Sequence, residues 1–109
     1  MTTTSQPSSQ PGQLIDLHDR GTAEQPKPKL LLNASPFRLM RLVLPAGKEI
    51  PQHSAPKEIV VQCVSGRVEF TTMGTTHCLT SGTILYLEPS EPHSLVAIED
   101  SIVLVTMAN

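Results

Sequence analysis

Apolar positions along the chain fall in short runs of roughly four to eight residues, each closed by a turn signal, and none repeats with a sustained helical period. Runs at 29–33, 37–44, 58–64, 67–73, 75–79, 83–87, 94–98 and 102–107 read as strands. Between them lie Pro45-Ala46-Gly47, Ser65-Gly66, Gly74, Thr80-Ser81-Gly82, the Glu88–Pro92 loop and Glu99-Asp100-Ser101. Strands this short at near-regular spacing predict an all-β sandwich or barrel. Ser65-Gly66 reads as a hairpin turn. The stretch 13–17 is a further candidate strand, followed by a polar, proline-interrupted loop at 18–28. Residues 1–12 offer too little apolar surface to offset the entropy of ordering, and read as a disordered tail. The expected organisation is a tail at 1–12, an N-terminal β segment and loop at 13–34, and one barrel domain at 35–109.

Composition narrows this without changing it. With 109 residues there is room for a single domain, and 10 prolines, 6 glycines and 3% aromatic residues disfavour a helix bundle. A net charge of −2 gives no electrostatic footprint for nucleic acid. No apolar run approaches the ~20 residues that cross a bilayer as a helix, and the first residues lack the basic and apolar regions of a secretory signal. Cys63 and Cys78 have neither metal-type nor redox-type spacing, so a reduced, cytoplasmic protein with structural thiols is expected. Nucleophilic hydrolysis, phosphate-loop chemistry and a glycosidase carboxylate pair all lack their motifs.

The residues that bear chemistry cluster at strand ends. His53 precedes the turn at Pro56-Lys57, Glu58 opens the next strand, and His93 follows Pro92. Alternation along strands is one way to bring imidazoles and a carboxylate together at a metal ion. If Glu58 points inward, so do Val60, Gln62 and Val64, and Cys63 points away; Gln62 then becomes a candidate ligand-pocket residue, its amide needing a partner. His77 shares parity with Leu79 and is a candidate extra metal ligand. Tyr86, in register with Ile84, is a candidate pocket residue with a proton to donate. Met40, Met73 and Met107 read as core filling. Arg41, a charge in an apolar strand, reads as an anion holder or a salt-bridge partner.

Gly47-Lys-Glu-Ile-Pro-Gln-His53-Ser-Ala55-Pro-Lys-Glu58, continuing to Gly66, resembles the first motif of the cupin family, and Gly82 through Pro89 to His93 resembles the second. The resemblance spans about residues 37 to 107 and implies a jelly-roll barrel, the double-stranded β-helix. It also implies a metal site in the barrel on His53, Glu58 and His93. The family's second motif histidine falls on Ala55, which cannot ligate. Two outcomes follow: a divalent ion (Fe, Mn, Zn or Ni) held by the remaining three, as in a facial triad, or no metal at all. The corresponding functions are a metal-dependent small-molecule enzyme of oxygenase or isomerase type, and a non-catalytic small-molecule-binding or sensing cupin with a degenerate metal site. In the first, Val60, Val64, Leu79 and Ile84 would keep the cavity dry. The expected partners are a small molecule and a second copy in a homodimer, through addition of the 13–17 segment to a neighbour's sheet edge.

Overall fold

Turn residues divide the chain where the sequence places them, and some also carry it from one sheet to another. The computed structural model describes residues 10–19 and 28–109. In it the chain forms β1 (Lys29–Asn33), β2 (Phe37–Leu44), β3 (Glu49–His53), β4 (Ile59–Ser65), β5 (Arg67–Thr72), β6 (Thr75–Thr80), β7 (Ile84–Leu87), β8 (His93–Ala97) and β9 (Ser101–Ala108). There is no helix among the described residues. A five-stranded antiparallel sheet of order β1-β2-β9-β4-β7 faces a four-stranded one of order β3-β8-β5-β6, the expected jelly roll.

Several expectations change. β3 has no counterpart in the apolar pattern, because its sequence Glu-Ile-Pro-Gln-His is mostly polar. It lies at the edge of the four-stranded sheet, where Pro51 forfeits no ladder bond the sheet needs. The 13–17 stretch forms no strand; instead the Asp16 carbonyl accepts a 3.1 Å hydrogen bond from Arg41 Nη1. Among the described residues Arg41 thus meets neither an acidic side chain nor the cavity described below. Residues 1–9 of the expected tail at 1–12, and residues 20–27 of the expected loop at 18–28, lie outside the described residues.

Ser65-Gly66 is not a hairpin turn. β4 pairs with β7 and β9, whereas β5 pairs with β6 and β8, so the chain crosses between sheets there. Gly66 has φ of 88°. A Cβ at this position would overlap Ser101 Oγ and the Asp100 carbonyl and come within 2.7 Å of Ser101 Cα. Fully buried Ser101 stitches the crossing, accepting from Arg67 N at 3.0 Å and donating to Glu99 O at 2.7 Å. A glycine turn signal reports backbone conformation, and is silent on whether the flanking strands share a sheet.

The core sits between the sheets. Leu42 and Leu44 of β2, Ile59, Val61 and Cys63 of β4, and Val103 of β9 meet Val68 and Phe70 of β5 and Leu79, Leu95 and Ala97 from β6 and β8. The parity expected for β4 is therefore reversed. Ile59, Val61 and Cys63 point inward, opposite Met107, Val105 and Val103 of β9. Gln62 and Val60 share the outer face with Ile84 and Tyr86, their partners on β7. Of the four residues expected to keep the cavity dry, only Leu79 is in the core, and Met73, expected as core filling, is 74% exposed in the turn between β5 and β6. The run Ile-Val-Val is apolar on both faces, so alternation alone does not say which side is buried.

Two outcomes are expected. Gly66→Ala should cost about 3 kcal/mol in chemical denaturation, from left-handed backbone strain plus overlap with buried backbone. Gly47→Ala, also at positive φ (86°) but with nothing near its Cβ, should cost only about 1 kcal/mol. Burial pushes the Cys63 thiol above its ordinary range, with Cys78 and Glu99 adding to the shift, whereas Cys78 is exposed. A thiol reagent at mildly alkaline pH should modify Cys78 alone in the native protein and both cysteines in denaturant; rapid native labelling of Cys63 would contradict the fold.

Candidate functional site

Between the sheets, toward the loop that joins β3 to β4, the core opens into a cavity of about 370 Å³. Its wall is mostly aliphatic: Met40, Leu42, Val105 and Met107 from the five-stranded sheet, Ile50 and Leu95 from the other. A cavity of this size falls in the range of small-molecule sites. Imidazoles, contributed by strands β3 and β8, are its main polar feature.

His53 and His93 stand opposite each other across the β3–β8 ladder, beside a register shift between Ile50 and His53. Their ring centroids are 4.3 Å apart with planes inclined at 64°. His93 is buried, 5% exposed, and stacks nearly parallel on Phe70 at 5.5 Å. Each ring is pinned by the backbone two residues earlier: His53 Nδ1 lies 2.9 Å from Pro51 O and His93 Nδ1 3.0 Å from Glu91 O. A carbonyl oxygen can only accept, so both Nδ1 atoms carry a proton, and Nε2 of the neutral ring is left as an acceptor or ligand. Burial lowers the His93 pKa from its ordinary value; the Glu91 carbonyl opposes that and neighbouring His53 reinforces it. His93 is thereby favoured as the neutral imidazole.

The other expected site residues are elsewhere. Glu58 is exposed just before β4, outside the cavity wall, with its backbone carbonyl accepting from Ala108 N at 3.0 Å. His77 lies opposite Phe70 on β6, yet is exposed and does not line the cavity. Gln62 and Tyr86 face outward, Tyr86 being 58% exposed. Ala55 does line the cavity, beside His53. Among the described residues no three His, Cys, Asp or Glu side chains come together as metal ligands. Two imidazoles, with Ala55 on the cavity wall and Glu58 exposed outside it, do not fit an ion closed by three protein ligands.

Residues 40–108 match the sequence profile of the cupin domain. The chain belongs to the cupin family. Solved structures similar to this cupin include a conserved protein of unknown function, SPY1581, from Streptococcus pyogenes (22% identity, 93% of this chain and 90% of that one, TM-score 0.75). An RmlC-like cupin from Desulfovibrio desulfuricans is 25% identical over 94% and 96% of the two chains, with a TM-score of 0.70. KdgF from Halomonas sp. is 20% identical over 84% and 86%, with a TM-score of 0.73. Comparison with curated protein sequences finds no significant match.

Sequence reasoning missed Arg38 and Lys57, both of which line this cupin's cavity. For Arg38 a signal existed: it shares strand parity with Met40 and Leu42, whereas Arg41 does not.

The two histidines should differ in their contribution to stability. His93→Ala removes a buried, stacked ring and should cost roughly 2–4 kcal/mol, while exposed His53→Ala should stay within about 1 kcal/mol, both by chemical denaturation. The lowered His93 pKa has a definite sign. Above the ordinary value of 6.5 the ring is neutral in both folded and unfolded chains and stability is flat. As pH falls from there through the lower folded value, the unfolded chain takes up the proton first and stability declines. His93→Gln should flatten that part of the profile; an unchanged slope would assign it to another group.

Proposed function

We propose that this cupin binds a small organic molecule in the cavity between its sheets, with the imidazoles of His53 and His93 making the polar contacts. The observation that carries the reading is the cavity itself: about 370 Å³, an aliphatic wall, and two pinned rings whose Nε2 atoms have no hydrogen-bond partner among the described residues. A mostly apolar site with a few placed polar groups suits an organic ligand better than a free ion. The test is a fragment screen by protein-observed NMR, with Val105→Phe, which fills the cavity from β9, as the control. Fragments should shift resonances of wall residues such as Met40, Leu95 and Met107, and Val105→Phe should abolish those shifts while retaining the fold. Binders that perturb only outward-facing residues, or the absence of any binder, would sink the proposal.

A second reading keeps the metal. Its support is that both Nδ1 atoms donate to backbone carbonyls, the arrangement that presents Nε2 to an ion. Here His53 and His93 would be ligands, Glu58 a third on movement of the 54–58 loop, and His77 an unneeded extra. Function as a metal-dependent oxygenase or isomerase rests on that ion. Elemental analysis after equilibration with Fe(II), Mn(II), Zn(II) or Ni(II) tests it. The reading predicts near-stoichiometric metal in the parent, none in the His53→Ala/His93→Ala double variant, and tighter retention in Ala55→His. No metal in the parent rejects it.

Self-association belongs to the same proposal. Strands β1 and β7 leave both edges of the five-stranded sheet open among the described residues, and Ile84 and Tyr86 stand 65% and 58% exposed on its outer face. A second copy on that sheet would cover them. Sedimentation should show a dimer; a concentration-independent monomer would exclude it.

A further inference from the structure

The cavity's charge is as informative as its shape. Arg38 enters the wall from β2, opposite Met107 of β9, and Lys57 from the loop before β4. None of the side chains lining the cavity among the described residues is acidic. The Arg38 guanidinium is poorly matched where it stands. Among the described residues its buried Nε has no hydrogen-bond partner, and its Nη2 meets only the Met107 sulfur at 3.8 Å, a weak acceptor. A partly buried cation without a counter-ion is costly unless something supplies negative charge. Among the described residues none supplies it: its ladder partners Met107 and Asn33 are uncharged, and the second charge in the cavity lining, Lys57, has the same sign.

From this we infer that the ligand of the cavity is an organic monocarboxylate, with its carboxylate at the rim between Arg38 and Lys57 and its aliphatic or aryl body on the wall toward His53 and His93. The inference rests on the small-molecule reading above and narrows it to a substrate class. A carboxylate matches the planar guanidinium fork with two parallel hydrogen bonds. A phosphate ester would bring more charge and more oxygens than a wall this apolar can satisfy. Arg38 lies on the five-stranded sheet and Lys57 on the loop that leads into β4 of that sheet, whereas the imidazoles lie on β3 and β8. A bound carboxylate therefore spans the gap between the sheets, with its charge at one side and its body against the rings and the aliphatic wall.

The experiment compares matched pairs, phenylacetate with phenylacetamide and hexanoate with hexanamide, titrated into the full chain and followed by protein-observed NMR. In the wild type each carboxylate should bind roughly tenfold or more tighter than its amide, and the difference should shrink at high salt. Arg38→Met keeps the stem and removes the charge, and should reduce the preference to less than about threefold with amide binding unchanged. Lys57→Met, at an exposed position, should lower it by a smaller factor. Chemical denaturation of Arg38→Met confirms folding, and Arg38→Gln serves if it fails. Amides bound as well as carboxylates, or a preference that survives the Arg38→Met/Lys57→Met double variant, would overturn the inference and leave the small-molecule reading standing. Neither series binding the wild type, at concentrations where the fragment screen finds wall-directed binders, also overturns it. No wall-directed binder of any kind defeats both.

Discussion

Strand β9 sets the register of both its neighbours, and most of the molecule's chemistry follows from that ladder. On one side it pairs with β2 without interruption from Ser101↔Leu44 to Ala108↔Phe37; on the other it pairs with β4 from Ile59↔Met107 to a shift near Ser65. These pairings turn Arg38, Met40 and Leu42 inward together with Ile59, Val61 and Cys63. A slip of one residue on β4 would exchange Ile59, Val61 and Cys63 for Val60, Gln62 and Val64 in the core. Burying the Gln62 amide there without a partner would cost about 1–3 kcal/mol, which disfavours the slipped form. The position of Glu58 is thus a consequence of core packing: it lies next to Ile59, whose burial helps to fix the register of the strand it precedes.

What was legible in the sequence was whatever local physics decides. Alternation and turn residues gave eight of the nine strands, and the motif spacing brought His53 and His93 to one wall although forty residues separate them. Illegible were the features that a partner strand decides. Ile59-Val60-Val61 could bury either face, so Glu58 and Gln62 were placed inward by a parity that the β9 ladder reverses. Glu49–His53 pairs only at a sheet edge, where the sequence is free to be polar and to contain proline. Arg41 drew attention as a charge in an apolar strand, yet it is 4% exposed on the opposite face, held to the Asp16 carbonyl. The cation that matters for the cavity is three residues earlier. Strand parity with Met40 and Leu42 separates the two arginines, but only once it is known which face is the core.

Turning Glu58 outward changes what the site can do electrostatically. A carboxylate beside two imidazoles would favour their protonated forms or a bound cation. Here burial acts on His93 without that counterweight and favours the neutral ring, with His53 nearby opposing a second positive charge. His93 is then an uncharged ring that accepts at Nε2, while Arg38 and Lys57 bring positive charge to the cavity.

The two polar features also differ in how firmly the fold holds them. His93 sits in the middle of its sheet, stacked on Phe70 and tied to Glu91, and His53 is tied to Pro51 on the adjacent edge strand. Arg38 is near the start of β2 with a long side chain and only a sulfur for a partner, and Lys57 lies on an exposed loop. The rings therefore form a fixed template, and the cations can adjust. Such a division favours recognition in which shape is read by the rigid wall and charge by the adaptable rim, because long side chains lose rotamer freedom on pairing and gain most when the partner is itself charged. It also places selectivity among ligands of one charge with Phe70, His93 and their aliphatic neighbours, and not with Arg38.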